Sequence, residues 1–361
     1  MKGNISKLLL VLIVLFLSTF ILTYTFRSSL KKVNTQDILN NMSLEEKIGQ
    51  LFIFGFWGTE PDYYISRMLN ERYIGGVILL SYNIENKDQM KILTDRLQSM
   101  SNNPLFISID QEGGLVSRIL FEDFDNTAQY DITTEQQAYD IAKNRGKQLR
   151  ELGINMNFSP VSDYITNEES FLYKRVFRGD KEDIVRLSSS MIQGYQDAGI
   201  ISIVKHYPGY NDASSDSHET LPVVDITFDG FDEYIYQFRK ILESSNGVLT
   251  SHILFPNMDA DTPSSVSKVF VNDVLREKLS FEGLIITDDM QMKSIYDKYP
   301  IKEAAVNAIL VGNDILIYTG NPEEQVEAYT AVLEATRNGV IKESYINEKV
   351  LRILNAKYAL K

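Results

Sequence analysis

The chain has 361 residues, of which 24% are charged and 44% hydrophobic, a composition that excludes wholesale disorder. Its formal net charge of -13 argues against a nucleic-acid partner, because phosphate binding needs clustered Lys and Arg side chains. There is no cysteine, so disulfides and thiolate metal sites are excluded.

The first element in chain order is an uncharged apolar segment, residues 8–26. As a helix it would rise roughly 28 Å, close to the thickness of a bilayer core. We therefore expect a short tail over 1–7, an uncleaved transmembrane signal anchor over 8–26, a linker over 27–40 and a folded domain over 41–361. This places the protein in the cell membrane as a single-pass chain with its folded domain outside the cytoplasm. A cleaved signal peptide, with secretion of the remainder, is the alternative.

Short runs rich in Ile, Val, Leu and Phe recur along the folded domain and alternate with amphipathic segments, for example 86–100, 134–152, 181–199 and 300–313. Eight such strands alternating with helices predict an α/β fold, a single (β/α)8 barrel of the TIM type. A doubly wound open sheet is the alternative, but no Gly-rich phosphate turn follows the first strand. The predicted strands are 50–58, 75–81, 104–110, 154–163, 201–209, 247–256, 283–289 and 314–320.

Polar residues lie where the predicted strands end. The fifth strand ends in Lys205 and His206, His252 lies late in the sixth, and all three histidines of the chain lie at or just beyond strand ends. Catalytic groups of such barrels occupy the C-terminal ends of the strands, so we expect these side chains to share one rim. The aspartates in the same position are Asp110 after the third strand, Asp163 after the fourth and Asp288 after the seventh.

The stretch GLIITDDMQM ends an apolar strand in Asp288 and Asp289. Asp288 is costly to desolvate without a purpose, and a carboxylate there could attack an anomeric carbon, stabilise an oxocarbenium ion or bind a metal. For Asp289 we expect a cap on the next helix. In SIDQEGGLVSRI, Asp110 either accepts hydrogen bonds from sugar hydroxyls or forms a structural pair with Arg118.

The stretch NDASSDSHETLP places His218 two residues after Asp216 in a small polar loop. Such a spacing lets the carboxylate hold one imidazole nitrogen and leaves the other for proton transfer. A metal site is the alternative, but position 222 is Pro where the H-E-x-x-H motif needs a second histidine. Nearby Lys205, Arg118 and Arg175 would also oppose a cation. We therefore expect neither a metal nor an organic cofactor.

Taken together, these segments resemble glycoside hydrolase family 3 in its β-N-acetylglucosaminidase branch, which acts on peptidoglycan fragments. The resemblance spans residues from about 36 to 361. It rests on EEKIGQLF (45–52), IDQEGGLVSRI (109–119), GINMNFSPVSD (153–163), KRVF (174–177), KHYPGYNDASSDSHETLP (205–222), SHILFPNMD (251–259) and LIITDDMQM (284–292).

The resemblance implies a retaining exo-β-N-acetylglucosaminidase that releases terminal GlcNAc from MurNAc-containing cell-wall saccharides. It implies Asp288 as the nucleophile, His218 as the group that transfers the proton, and Asp216 as the residue that orients it. Alternatives in the same site are a phosphorylase that uses phosphate instead of water, a β-glucosidase, and an inert wall-binding barrel. The residues implied for binding GlcNAc are Asp110, Arg118, Arg175, Lys205 and His206.

Two departures from the branch pattern concern residues beside the site. Tyr210 and Asn211 stand where the pattern has His and Gly, and Leu115 stands where it has Arg. None of them is a residue to which the resemblance assigns chemistry. They bear on the stiffness of the loop and on the substrate.

Overall fold

The computed structural model describes residues 33–211 and 220–360. Within these residues eight parallel strands pair in chain order, and β1 pairs with β8 to close a barrel. The predicted (β/α)8 barrel is confirmed, and the doubly wound sheet is wrong because an open sheet does not pair its first strand with its last. The strands are β1 (Phe52–Phe54), β2 (Gly76–Leu79), β3 (Phe106–Ile109), β4 (Met156–Asn157), β5 (Ile201–Tyr207), β6 (Gly247–Thr250), β7 (Leu284–Asp289) and β8 (Ile315–Tyr318).

Helices surround the barrel, and the amphipathic segments predicted from the sequence form them. Asn86, Thr134 and Asp180 begin three of these helices, each side chain accepting a hydrogen bond from the amide N–H three residues further on. The α-helices of the described residues are Thr35–Asn41, Leu44–Gly49, Tyr63–Glu71, Lys87–Ser99, Glu135–Glu151, Lys181–Asp197, Phe228–Tyr234, Tyr236–Ile241, Lys293–Tyr296, Ile301–Val311, Pro322–Arg337 and Glu343–Ala359, and Val269–Lys278 is a π-helix.

The strands are almost entirely buried, since they lie between the barrel interior and the helices. Every residue of β1 to β6 and of β8 is buried. In β7 the first four residues are buried, whereas Asp288 and Asp289 are half-buried. The barrel therefore opens to solvent at the C-terminal end of β7, where two carboxylates lie side by side.

Thr35–Asn41, the first helix of the described residues, packs against the last one, Glu343–Ala359. The Thr35 hydroxyl donates to Asn355 Oδ1 at 2.6 Å, and Leu39 is buried. Residues 35–40 of the predicted linker are part of this helix. The domain boundaries stay predictions.

Several predicted features lie outside the described residues. They are the tail over 1–7, the anchor over 8–26, and the pair Asp216 and His218. In the part of the chain that the structure describes, no helix is both long and apolar enough to span a bilayer.

Candidate active site

A cavity of about 250 Å³ opens at the C-terminal ends of the strands. The structure brings five of the predicted site residues to its wall: Asp110, Arg118, Lys205, His206 and Asp288. The volume is at the small end for ligand pockets, which fits one sugar ring better than a chain of them. The other lining residues are Ile78, Leu80, Phe158, Leu249, Asp289, Met292, Ile317 and Thr319.

Asp288 lies at the exposed end of β7 and lines the cavity. Its Oδ1 accepts a hydrogen bond of 2.9 Å from the amide N–H of Asp289. The preceding residue, Thr287, is fully buried, and its Oγ1 accepts from the amide N–H of Ile317 on β8 at 3.2 Å. The backbone that carries Asp288 is therefore fixed to the neighbouring strand, while its carboxylate remains accessible to a ligand.

Asp289 does not cap the next helix, so that prediction is wrong. The helix Lys293–Tyr296 begins after Met292, which provides no side-chain cap. Instead, Asp289 Oδ1 accepts from the amide N–H groups of Gln291 at 3.0 Å and Thr319 at 3.2 Å, and the Thr319 hydroxyl donates to Oδ2. The carboxylate thus joins the end of β7 to the end of β8. Burial raises its pKa to about 6, against the hydrogen bonds from Thr319 and Gln291, which lower it.

Glu112, for which the sequence predicted no role, lies at the centre of the charged groups behind the cavity. Its buried carboxylate accepts two hydrogen bonds from Arg175, Nε to Oε2 at 2.9 Å and Nη2 to Oε1 at 2.8 Å. Lys205 Nζ lies 2.6 Å from Glu112 Oε1 and donates to Asp110 Oδ1 at 2.6 Å. Arg175 is therefore hydrogen-bonded to Glu112 and does not line the cavity, whereas Lys205 does line the cavity.

These ion pairs keep Glu112 and Lys205 charged. Burial alone would raise the pKa of Glu112, but Arg175 and Lys205 outweigh burial and hold it well below its usual range. Burial alone would lower the pKa of Lys205, but Asp110 and Glu112 raise it. Arg118 Nη2 lies 3.8 Å from Asp110 Oδ2, and its buried Nε has no hydrogen-bond partner among the described residues. Arg118 Nε is a donor that a ligand could satisfy.

Asp163 holds His206 in one orientation. The carboxylate accepts from the His206 amide N–H at 3.0 Å, lies 2.9 Å from the ring Nδ1, and accepts from the Tyr210 amide N–H at 2.7 Å. Because a carboxylate only accepts, Nδ1 carries the hydrogen, and Nε2 faces Arg175 Nη2 at 3.5 Å. The sequence indicated only that Asp163 follows a strand. It did not indicate that Asp163 contacts His206.

The structure accounts for the two departures from the branch pattern. Asn211 adopts φ +43, the left-handed region that Asn tolerates better than most residues, so the chain still turns where the pattern has Gly. Tyr210 is buried, with its ring edge-on to His206 at a centroid distance of 5.4 Å. Leu115 is exposed and does not line the cavity.

His252 lies behind the cavity wall and is fully buried. Its Nδ1 lies 2.6 Å from Ser265 Oγ, and its Nε2 lies 3.1 Å from the backbone oxygen of Asp289. His252 therefore has a structural role at the rim, because it contacts the backbone at the end of β7. Within residues 33–211 and 220–360, no group of three His, Asp or Glu side chains could hold a metal ion.

Comparison with known proteins gives a consistent result. The family described as Glycosyl hydrolase family 3 N terminal domain matches residues 43–356. A β-hexosaminidase of Methylobacillus flagellatus is 30% identical over 281 residues, which cover 75% of this chain and 80% of that protein.

Two solved structures are also similar. One is a glycoside hydrolase family 3 β-N-acetylglucosaminidase from Paenibacillus sp. str. FPU-7, with a TM-score of 0.85 and 33% identity over 88% of this chain and 63% of that one. The other is the β-glucoside phosphorylase BglX, with a TM-score of 0.82 and 27% identity over 90% of this chain and 60% of that one. This chain thus spans less than two thirds of either solved chain. It belongs to glycosyl hydrolase family 3, and it is a glycoside hydrolase of the β-N-acetylhexosaminidase type.

Proposed function

We propose that the protein is a retaining exo-β-N-acetylglucosaminidase that releases terminal GlcNAc from MurNAc-containing peptidoglycan fragments. The observation that carries the proposal is the position of Asp288: its carboxylate lines a one-sugar cavity together with Asp110, Arg118 and Lys205. The names of the relatives support a β-N-acetylhexosaminidase. The peptidoglycan substrate rests on the sequence resemblance.

The proposed reaction is a double displacement. Asp288 attacks the anomeric carbon as the bond to the leaving oxygen breaks, and His218 gives that oxygen its proton. A water molecule then attacks the same carbon and gives a proton to His218, which frees Asp288 and the sugar. Asp216 orients His218. The support for Asp216 and His218 is their spacing in the sequence, since both lie outside the described residues.

The cavity wall supplies the groups that would hold the sugar. Lys205 keeps Asp110 in a fixed position at 2.6 Å, so its carboxylate is oriented to accept hydrogen bonds from sugar hydroxyls. Arg118 Nε supplies an unused donor beside it. Asp163 fixes the ring of His206 at the same wall. The roles of Asp110, Arg118, Lys205 and His206 in binding GlcNAc, with Arg175 supporting them through Glu112, belong to this proposal.

The direct test is kinetic, on the p-nitrophenyl β-glycoside of GlcNAc. Asp288→Ala should abolish detectable p-nitrophenol release under conditions where wild type turns over readily. His218→Ala should lower release of p-nitrophenol less than it lowers cleavage of a glycoside with a sugar leaving group, because p-nitrophenol leaves with little protonation. Asp261→Ala removes an exposed carboxylate that does not line the cavity and is the matched control, which should retain wild-type rates. Activity surviving in Asp288→Ala would overturn the assignment.

The alternatives separate in the same assay. A β-glucosidase would prefer the glycoside that lacks the N-acetyl group, and an inert barrel would bind GlcNAc without releasing product. Two observations support the phosphorylase alternative. One is the similarity to the β-glucoside phosphorylase BglX, and the other is the presence of two cations that could bind phosphate at the cavity wall, Arg118 and Lys205. Mass analysis with phosphate present distinguishes GlcNAc 1-phosphate from free GlcNAc.

The location of the reaction is also a proposal. We place the barrel outside the cytoplasm, tethered by residues 8–26, and the support is the uncharged apolar sequence of that segment. This location would bring the enzyme to the cell wall.

A further inference from the structure

Two aromatic rings form a stacked pair on the rim of the barrel. Trp57, the single tryptophan of the chain, lies in the loop after β1, and Tyr82 lies in the turn after β2. Their centroids are 4.1 Å apart and their planes are inclined by 20°. Trp57 is 59% exposed, whereas Tyr82 is half-buried, so the indole is the outer ring of the stack.

Both rings follow backbone that lies at or next to the wall of the active-site cavity. Gly55 is so close to Thr319 that a Cβ on it would lie 2.9 Å from the Thr319 Cα, and Thr319 lines the cavity. Leu80 lines the cavity as well and precedes Tyr82 by two positions. The stacked pair is therefore at the mouth of the cavity, above β1 and β2.

The pair is held rigidly by a buried asparagine. Asn83 Nδ2 donates to the backbone oxygens of Phe56 at 2.9 Å and Gly58 at 2.7 Å, on either side of Trp57. Asn83 Oδ1 accepts from the amide N–H of Leu80 at 2.9 Å. The two loops are thus joined before any ligand binds, which lowers the entropic cost of using them as a binding surface.

The charges of the active site act on Tyr82. Its pKa is raised by partial burial and by the Asp289 carboxylate, against Arg118, which lowers it. Both charged residues line the cavity, so the phenol is within electrostatic reach of the site. A ligand that extends out of the cavity would meet this pair of rings.

We propose that Trp57 and Tyr82 form the subsite for the sugar ring on the leaving-group side of the scissile bond. A pyranose ring has a face of C–H groups that packs on an aromatic face while its hydroxyls stay in water, and an exposed rigid indole provides such a face. The inference rests on the proposed function, because it assigns the leaving group of that reaction to a hexosamine ring. It predicts that substrates with a sugar leaving group are favoured over those with a small one.

The kinetic test uses the full chain and two substrates with the same GlcNAc donor. One is the disaccharide GlcNAc-β-1,4-MurNAc, and the other is the β-fluoride of GlcNAc, whose leaving group is a single atom. Trp57→Ala should lower the ratio of kcat/KM on the disaccharide to kcat/KM on the fluoride by about 5- to 10-fold, the range expected for one aromatic contact. Trp57→Phe should restore most of the ratio.

Tyr63→Ala is the matched control, because Tyr63 is another exposed aromatic ring but packs on Arg67 rather than on the pair. It should leave the ratio within twofold of wild type. A Trp57→Ala ratio equal to that of wild type would overturn the inference while leaving the proposed function intact. Failure of wild type to cleave either substrate would overturn the proposed function itself.

The single tryptophan also gives a binding readout that does not depend on turnover. In Asp288→Asn, the fluorescence of Trp57 should change when the disaccharide binds and should change less than half as much when GlcNAc alone binds. Equal changes with the two ligands would contradict the inference, since neither ring is among the residues that line the cavity.

Discussion

Glu112 is the residue on which the charged groups behind the cavity converge. Its carboxylate balances two buried or nearly buried cations, Arg175 and Lys205. Removing one partner of a buried ion pair leaves an uncompensated charge, which destabilises a protein far more than loss of an exposed pair. The positions of Lys205 and Asp110 in the cavity wall therefore depend on a residue that does not line it.

Glu112→Gln should lower the free energy of unfolding by about 3 kcal/mol, because Arg175 and Lys205 lose their buried counter-charge. It should also lower kcat/KM on the GlcNAc glycoside at least tenfold, because Lys205 no longer holds Asp110 in one geometry. Urea unfolding and steady-state kinetics measure the two effects. The control is Glu60→Gln, which breaks an exposed pair with Arg96 and should change stability by less than about 1 kcal/mol. Equal, small effects of both substitutions would contradict the account.

The same variant has a predicted pH dependence. The folded pKa of Glu112 lies below its ordinary value of 4.5, so its contribution to stability is complete above pH 4.5 and is lost as the pH falls toward the folded value. Glu112→Gln should therefore unfold with a shallower loss of stability below pH 4.5 than wild type. Thermal unfolding in steps down to pH 3 tests this, and parallel curves would argue against it.

The ends of β7 and β8 form one structural element through Asp289. Its carboxylate accepts from Thr319 and from the amide N–H of Gln291, and it lies next to Asp288, the proposed nucleophile. Burial raises its pKa from 3.8 to about 6. A carboxyl group with a raised pKa contributes stability below pH 3.8 and loses that contribution as the pH rises through 6.

Asp289→Asn should remove the loss of stability that accompanies ionisation of Asp289, because the amide stays neutral at every pH. Relative to wild type, the melting temperature of the variant should therefore rise between pH 4 and pH 7. Differential scanning calorimetry at four pH values measures the difference, with Asp261→Asn as an exposed control that should show no such trend. A constant difference between variant and wild type across this range would contradict the raised pKa.

The eight strands and their polar ends could be predicted from the sequence, because short apolar runs that alternate with amphipathic segments indicate buried parallel strands joined by helices. Strand bounds were less accurate. The run 154–163 forms a strand only over Met156–Asn157, since Pro160 has no amide hydrogen to donate to a neighbouring strand. Partnerships across the barrel, such as Glu112 with Arg175, join residues 63 positions apart, and no local pattern specifies them.

At the scale of the whole molecule, the barrel is closed, and the first and last helices of the described residues pack together. Thr35–Asn41 lies against Glu343–Ala359, so the folded body begins soon after the segment 8–26 that we propose as an anchor.

Deletion of residues 8–26 should move the protein from the membrane pellet to the soluble fraction, because those residues carry the apolar surface that a bilayer would solvate. Fractionation after a carbonate wash measures this, with the GlcNAc glycoside assay as the control that the barrel is still folded. Full-length protein in the soluble fraction, with its N-terminus intact, would contradict membrane anchoring.

The central claim is that Asp288 forms a covalent bond to the sugar. A 5-fluoro derivative of the β-fluoride of GlcNAc should label a retaining enzyme. The ring fluorine slows both displacements, but the good fluoride leaving group keeps the first one fast enough for the glycosyl-enzyme to accumulate. Mass spectrometry of the digested protein should find the added sugar on the peptide that contains Asp288, and Asp288→Asn should not be labelled. A sugar attached to any other residue, or turnover without a covalent intermediate, would contradict the account.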